Sequence, residues 1–275
     1  MKIKFLGTAA AEGFPALYCQ CDICKDAWKN KGRNIRTRSQ AMIDEKFLID
    51  FGPDTYAHTL NFEVPLDMIH HVIITHKHSD HFYPNDLLFR RPGYASKVDD
   101  GPLFVYGCKP AYEAVYKIEE RENMSDYLKA VEITPLVPFE ILDYKITPLP
   151  AHHDERAGAV IYLIETKEKS MLYAHDTGYF KEETWEHLKT LTKPLDLISL
   201  DCTASLRTGW RHGHLSFDCF LEVIDELKQL NVVDEHTKII ANHFSHNGNA
   251  NYQTMADEAI KYNVIVSYDG MEVEF

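Results

Sequence analysis

Four side chains able to ligate a metal fall within six positions of the segment THKHSDH, residues 75–81. His76, His78 and His81 supply imidazole nitrogens and Asp80 a carboxylate, a donor set that suits zinc, manganese or iron(II). In an irregular loop, alternate residues converge on one ion while the adjacent Asp80–His81 pair turns toward another. A polar surface loop would explain isolated histidines in a chain that has 15 of them. It does not explain this density directly after the apolar run HVIIT. The chemistry such a cage favours is hydrolysis. Two cations about 3.5–4 Å apart lower the pKa of bound water from 15.7 to about 7 and screen charge building on a phosphoryl or carbonyl oxygen. Asp80 then reads as a ligand within the catalytic set rather than a general base. The expected nucleophile is metal-bound hydroxide, with no protein nucleophile needed.

A second constellation lies near the start of the chain, in YCQCDIC, where Cys19, Cys21 and Cys24 have the spacing C-x-C-x2-C. A closed zinc site takes four protein ligands and an iron–sulfur cluster normally four cysteines, so three thiols leave one ligand to be brought in by the fold. Cys108, Cys202 and Cys219 are scattered singly, which suits small core residues better than a disulfide framework.

These groups have to be held by elements around them. Strand-like runs rich in Val, Ile, Phe and Tyr recur as KIKFL, KFLID, HVIIT, LFVYG, YKITPL, AVIYLIE, SMLYAHD, LDLISLD, TKIIAN and NVIVSYDG. Helical spacing is clearest in SFDCFLEVIDELKQL, where Phe217, Phe220, Leu221, Ile224 and Leu227 form one stripe and Ser216 is placed to cap. CKPAYEAVYKIEE, KEETWEHLKTLT and NYQTMADEAIKY also read as helices. His76, Asp176 and His243 each follow a strand-like run, as expected where a rigid scaffold presents a site at one sheet edge. The 275 residues, 45% hydrophobic and undivided by any linker or repeat, are read as one domain over 1–275, two sheets covered by helices. The opening MKIKFLGTAAAEG only imitates a signal peptide; it reads as a first strand with Ile3 and Phe5 on one face, and the protein is expected to be cytoplasmic. No apolar run is long enough for a membrane helix. A net charge of −13, from 42 acidic and 29 basic residues, disfavours a general nucleic-acid binder without excluding a local basic patch.

His76-Lys77-His78-Ser79-Asp80-His81 resembles the HxHxDH signature of the metallo-β-lactamase-fold superfamily. The resemblance implies an α/β fold, an αββα sandwich of two similar halves, with a two-metal site at the strand ends. It implies that His76, His78 and His153 hold one metal, that Asp80, His81 and His243 hold the other, and that Asp176 bridges them. His152 competes with His153, which is preferred. An acidic residue at the position of His78 would indicate the di-iron redox branch, so His78 favours a hydrolase. Within the superfamily, GTAAAEGFPALYCQCDICK, HFSH and YDGME resemble the PhnP-type phosphodiesterases, the carbon–phosphorus-lyase accessory branch. That resemblance implies a structural zinc on Cys19, Cys21, Cys24 and His246, closed to water and substrate.

The same resemblance makes a histidine ahead of the strongest helix a general-acid candidate. His214 is the match and His212 the second choice. Arg207 or Arg211 in that loop is a candidate grip for a terminal phosphate. The expected activity is a metal-dependent phosphodiesterase with two divalent metals, zinc or manganese, in the active site and one structural zinc. The expected substrate is a small phosphodiester, with a cyclic ribose phosphate among the candidates. A homodimer is compatible with the sequence; a membrane partner is not expected. The alternatives are an RNA or tRNA 3′-end processing nuclease of the same fold, and a non-catalytic or cofactor-biosynthesis binding protein that keeps the structural zinc.

Overall fold

The computed structural model describes residues 1–98 and 101–275. The N-terminal half supplies β1 (Lys2–Gly7), β2 (Gln40–Ile43), β3 (Phe47–Ile49), β4 (His71–Ile73), β5 (Leu103–Gly107) and β6 (Leu128–Glu132). The C-terminal half supplies β7 (Phe139–Ile141), β8 (Tyr144–Pro150), β9 (Val160–Glu165), β10 (Ser170–Ala174), β11 (Leu197–Asp201), β12 (Lys238–Asn242), β13 (Val264–Val266) and β14 (Met271–Glu274). The helices are α1 (Asp22–Asn30), α2 (Thr55–Phe62), α3 (Lys109–Arg121), α4 (Glu182–Leu188), α5 (Phe217–Gln229) and α6 (Tyr252–Ala259). One sheet has the order β14-β1-β2-β3-β4-β5-β6 and the other β13-β12-β11-β10-β9-β8-β7.

The two sheets share one pattern of directions. In the first, the β14–β1, β1–β2 and β2–β3 pairs are antiparallel, and the pairs from β3 to β6 are parallel. In the second, the pairs from β7 to β10 are antiparallel and those from β10 to β13 parallel. The molecule is therefore an αββα sandwich of two similar halves, as the sequence resemblance implies.

Strand alternation explains the layering, because successive side chains point to opposite faces. Phe47 and Ile49 of β3 enter the central layer with Ile3, Phe5, Tyr162 and Tyr173, whereas Leu48 between them packs outward with Val105, Ala111 and Val115. On the far side, Leu172 and Ile198 meet Trp185 of α4 and Phe217, Phe220 and Ile224 of α5. With both faces covered, the strands carry apolar residues almost continuously. Truncating a fully buried ring such as Phe220 would cost about 3–5 kcal/mol.

One local expectation changes, and one helix goes unannounced in the sequence. Ser216 occupies the N-cap of α5, but its hydroxyl does not cap the helix; it bonds the backbone of Trp210 instead. Helix α1 has no apolar stripe to announce it, since only Cys24 and Ala27 are buried. No described helix is long and apolar enough to cross a membrane.

Candidate metal centre

Strand ends place the cage. The loop after β4 carries His76 to His81, the β8–β9 connection carries His153, and β10 and β12 run into Asp176 and His243. Asp50 and His243 directly follow β3 and β12, and Asp176 follows β10 after His175; each has a left-handed backbone, with φ of 70° at Asp50, 65° at His243 and 51° at Asp176. Such conformations cost about 1–3 kcal/mol each in non-glycine residues and concentrate at functional sites. The turn after Asp176 also needs Gly178, where a Cβ would lie 2.4 Å from the Arg211 carbonyl oxygen.

The donor atoms form two groups. His78 Nδ1 lies 3.0 Å from His76 Nε2 and 3.2 Å from His153 Nε2. His81 Nε2 lies 3.3 Å from His243 Nε2 and 3.3 Å from Asp80 Oδ2. Asp176 stands between the groups, its Oδ2 being 2.5 Å from His81 Nε2, 3.2 Å from His243 Nε2 and 3.5 Å from His76 Nε2. His152 is not in this set, because its Nδ1 meets the Tyr179 carbonyl at 2.8 Å.

Every imidazole in the cage is held from behind. His76 Nδ1 meets Thr75 Oγ1 at 3.0 Å, His78 Nε2 meets Asp154 Oδ2 at 3.4 Å, and His153 Nδ1 meets Gly213 O at 3.1 Å. His81 Nδ1 meets Asp50 Oδ2 at 2.6 Å, and His243 Nδ1 meets Thr203 Oγ1 at 2.8 Å. These contacts choose which nitrogen faces inward, the arrangement that orients metal-binding histidines. Asp50 in turn accepts from Thr75 N at 2.8 Å. Asp201 accepts from the backbone of Asp176, Thr203 and Leu215.

The residues fit divalent cations. Tetrahedral nitrogens about 2.0–2.1 Å from a metal stand roughly 3.3 Å apart, close to the spacings here. Asp176 Oδ2 is buried against the inward-facing nitrogens of His76, His81 and His243, a crowding of donor atoms that a cation would resolve. Burial lowers the pKa of His76 well below its usual value, with the charge on His81 adding to that. For His81 burial also acts downward, but Asp176, Asp50 and Asp80 outweigh it and raise the pKa well above normal. Burial would raise Asp80, yet His81 outweighs it and keeps this carboxylate ionised, as a ligand requires. Buried carboxylates converging on these imidazoles favour positive charge at the centre of the cage.

Cys19, Cys21, Cys24 and His246 form a separate group, their donor atoms all within 4.8 Å of one another. His246 Nδ1 is 3.5 Å from both Cys19 Sγ and Cys21 Sγ, against roughly 3.6 Å for sulfur and nitrogen on one tetrahedral zinc. Burial acts to raise the Cys21 thiol, but hydrogen bonds from Cys24 N and His246 lower it to about 6. Burial pushes Cys24 up to about 12. On its far side, His246 Nε2 lies 3.6 Å from Glu12 Oε1.

A family profile described as "Beta-lactamase superfamily domain" matches residues 45–237. The chain belongs to this superfamily. Among solved structures, Zn(2+)-bound PqqB from Methylobacterium extorquens is similar with a TM-score of 0.76 at 19% identity, each chain fully covered. A diphosphatase of the PhnP family has a TM-score of 0.73 at 21% identity, over 100% of this chain and 97% of that one. Human tRNase Z, short form, has a TM-score of 0.64 at 17% identity, over 100% and 99%. At these identities the likeness is one of fold. An octanoyltransferase of Porphyromonas gingivalis (strain ATCC BAA-308 / W83) is 22% identical over 99% of this chain. The chain spans 51% of that curated relative's length.

In this superfamily member the cage lies at the foot of a cleft of about 440 Å³, lined also by Glu12, Arg207, Trp210, His214 and Ser245. His214 Nδ1 is 3.2 Å from Asp201 Oδ2 and 3.3 Å from Asp176 Oδ1. Burial alone would lower His214, but Asp201 and Asp176 outweigh it and push its pKa up to about 9. His212 faces elsewhere, its ring 5.3 Å from that of His152 in a neighbouring depression. Arg211 is turned away too, paired with Glu222 at 3.3 Å and lying over the Tyr179 ring, so of the two loop arginines only Arg207 reaches the cleft. Sequence reasoning missed Asp50, Thr75, Asp154 and Thr203 as supports. The acids that close KFLID and LISLD were the available signal for Asp50 and Asp201.

Proposed function

We propose that this protein is a metal-dependent phosphodiesterase that hydrolyses a small phosphodiester, a cyclic ribose phosphate among the candidates. The observation that carries this reading is the pair of donor groups meeting at Asp176, every imidazole held from behind, at the foot of a ligand-sized cleft. His76, His78 and His153 would hold one divalent cation, Asp80, His81 and His243 a second, and Asp176 would face both. Zinc or manganese in this cage supplies a water of lowered pKa and neutralises charge on a phosphoryl oxygen.

The chain's own residues do the rest. His214 Nδ1 is occupied by Asp201, Asp176 and Thr203, and Nε2 has no hydrogen bond among the described residues. The Asp201 carboxylate on Nδ1 favours a protonated ring, so that Nε2 would carry the proton given to the leaving oxygen. Asp201 keeps that ring oriented through Nδ1. The group of Cys19, Cys21, Cys24 and His246 would hold a structural zinc, since three thiolates and one imidazole are the donor set of closed zinc sites and none of the four lines the cleft.

The test is turnover of bis-p-nitrophenyl phosphate, nucleoside cyclic phosphates and a short RNA, with manganese or zinc added. Hydrolysis of a small diester, lost in His78→Ala, is the expected result. Unchanged turnover in that variant, or no turnover of any diester by metal-replete protein, would sink the proposal.

A further inference from the structure

The loop between β11 and α5 does two jobs at different depths. Its inner turn presents His214 and receives His153 Nδ1 on the Gly213 carbonyl at 3.1 Å. Its outer turn presents Arg207 and Trp210 at the rim of the same cleft. Among the described residues lining that cleft, Trp210 is the one Trp, Tyr or Phe and Arg207 the one Lys or Arg.

Trp210 is 44% exposed and joins none of the hydrophobic clusters. Its backbone is nevertheless pinned. Trp210 N donates to Ser216 Oγ at 3.0 Å, and Ser216 N donates to the Trp210 carbonyl at 2.8 Å. That explains why Ser216 stands at the helix cap without capping the helix. The Arg207 guanidinium lies 5.3 Å from the Trp210 ring centre and has no hydrogen bond or ion pair among the described residues. Arg211, four residues on, has both Glu222 and Tyr179. An indole on a pinned backbone has only its two side-chain torsions to lose on binding, and the guanidinium over its ring, with no ion pair among the described residues, offers a second flat face.

We infer that Trp210 and Arg207 form a stacking platform that selects a phosphodiester bearing a flat aromatic ring, as a nucleotide does. The inference rests on the phosphodiesterase reading above and names its substrate class. Bases stack on aromatic side chains and on arginine planes with little dependence on base identity. At about 440 Å³ the cleft lies near the lower end of the range of roughly 300–1,000 Å³ for small-molecule sites, enough for a mononucleotide.

The test compares adenosine 2′,3′-cyclic phosphate with glycerol 1,2-cyclic phosphate, which has the same reacting group and no aromatic ring. The metal-loaded protein should favour the adenosine ester in kcat/KM by about tenfold or more. That preference should fall toward unity in Trp210→Ala, be retained in Trp210→Phe, and drop severalfold in Arg207→Gln. Equal kcat/KM for the two esters, or a preference untouched by Trp210→Ala, overturns the platform and leaves the phosphodiesterase reading standing. If neither ester is turned over, titration with AMP against ribose 5-phosphate, followed by tryptophan fluorescence, decides the platform alone. Saturable quenching by AMP that Trp210→Ala removes supports it; equal responses to AMP and ribose 5-phosphate overturn it.

Discussion

The histidine cage and the cysteine group share the segment from His243 to His246, yet they are built for opposite purposes. The cage mixes nitrogen and carboxylate donors, backs every imidazole with a second contact, and opens into a cleft. The cysteine group has three sulfurs and one nitrogen, all within 4.8 Å of one another. What separates the two groups is donor identity and setting: the cage lines the cleft, and none of the four residues of the cysteine group does.

The strongest way to break that contrast is to remove one cage ligand. His78→Ala should lower turnover by about a thousandfold or more while metal analysis still finds zinc bound at the cysteine group; loss of both metals together would mean the sites are not independent. Cys21→Ser should do the converse. It removes a structural ligand and should lower the melting temperature by about 10 °C, corresponding to about 3–5 kcal/mol in a chain of this size, with turnover per folded molecule changed only a few-fold. An unaltered melting curve would count against a structural metal there.

A subtler change acts from behind the cage. Asp50→Asn keeps the shape of the His81 contact and weakens its charge, and should reduce metal affinity at the cage by about 10- to 100-fold, read by competition with a chelator. Metal affinity at the cysteine group should not move. The smallest effect serves as a control outside both sites. His58 is buried between Thr37 and Gln40, and burial lowers its pKa to about 4. Its stabilising contribution is complete above the unfolded value of about 6.5 and is lost as pH falls toward 4. Between pH 7 and 5.5 the wild type should lose about 1 kcal/mol that His58→Gln does not.

The same contrast shows what could be read from sequence. His76 to His81 were legible because their donors are adjacent and follow an apolar strand. His246 could be paired with the distant cysteines only through a family likeness, since spacing carries no information across 227 residues. His152 and His153 differ by one position at a strand end, and only the turn decides which ring faces inward. Asp50 was hidden for another reason: it is the last polar residue of a buried strand, where an acid looks like ordinary turn chemistry. Strands β2, β6, β7 and β14 escaped notice; in the last three, LKAVE, FEI and MEVE, charged residues break the apolar run. Arg211 was overvalued because its partner Glu222 lies on the following helix, out of sight of a linear reading.

The span between Cys19 and His246 also sets an order of events. A ribosome delivers the three thiols early and the imidazole more than two hundred residues later. Residues 8–10 likewise wait for Phe244, whose backbone they pair with on both sides. Until that segment emerges, the thiols would be a trap one ligand short. Zinc capture there would then act as a clasp fastened late, when the segment that also brings His243 to the cage arrives.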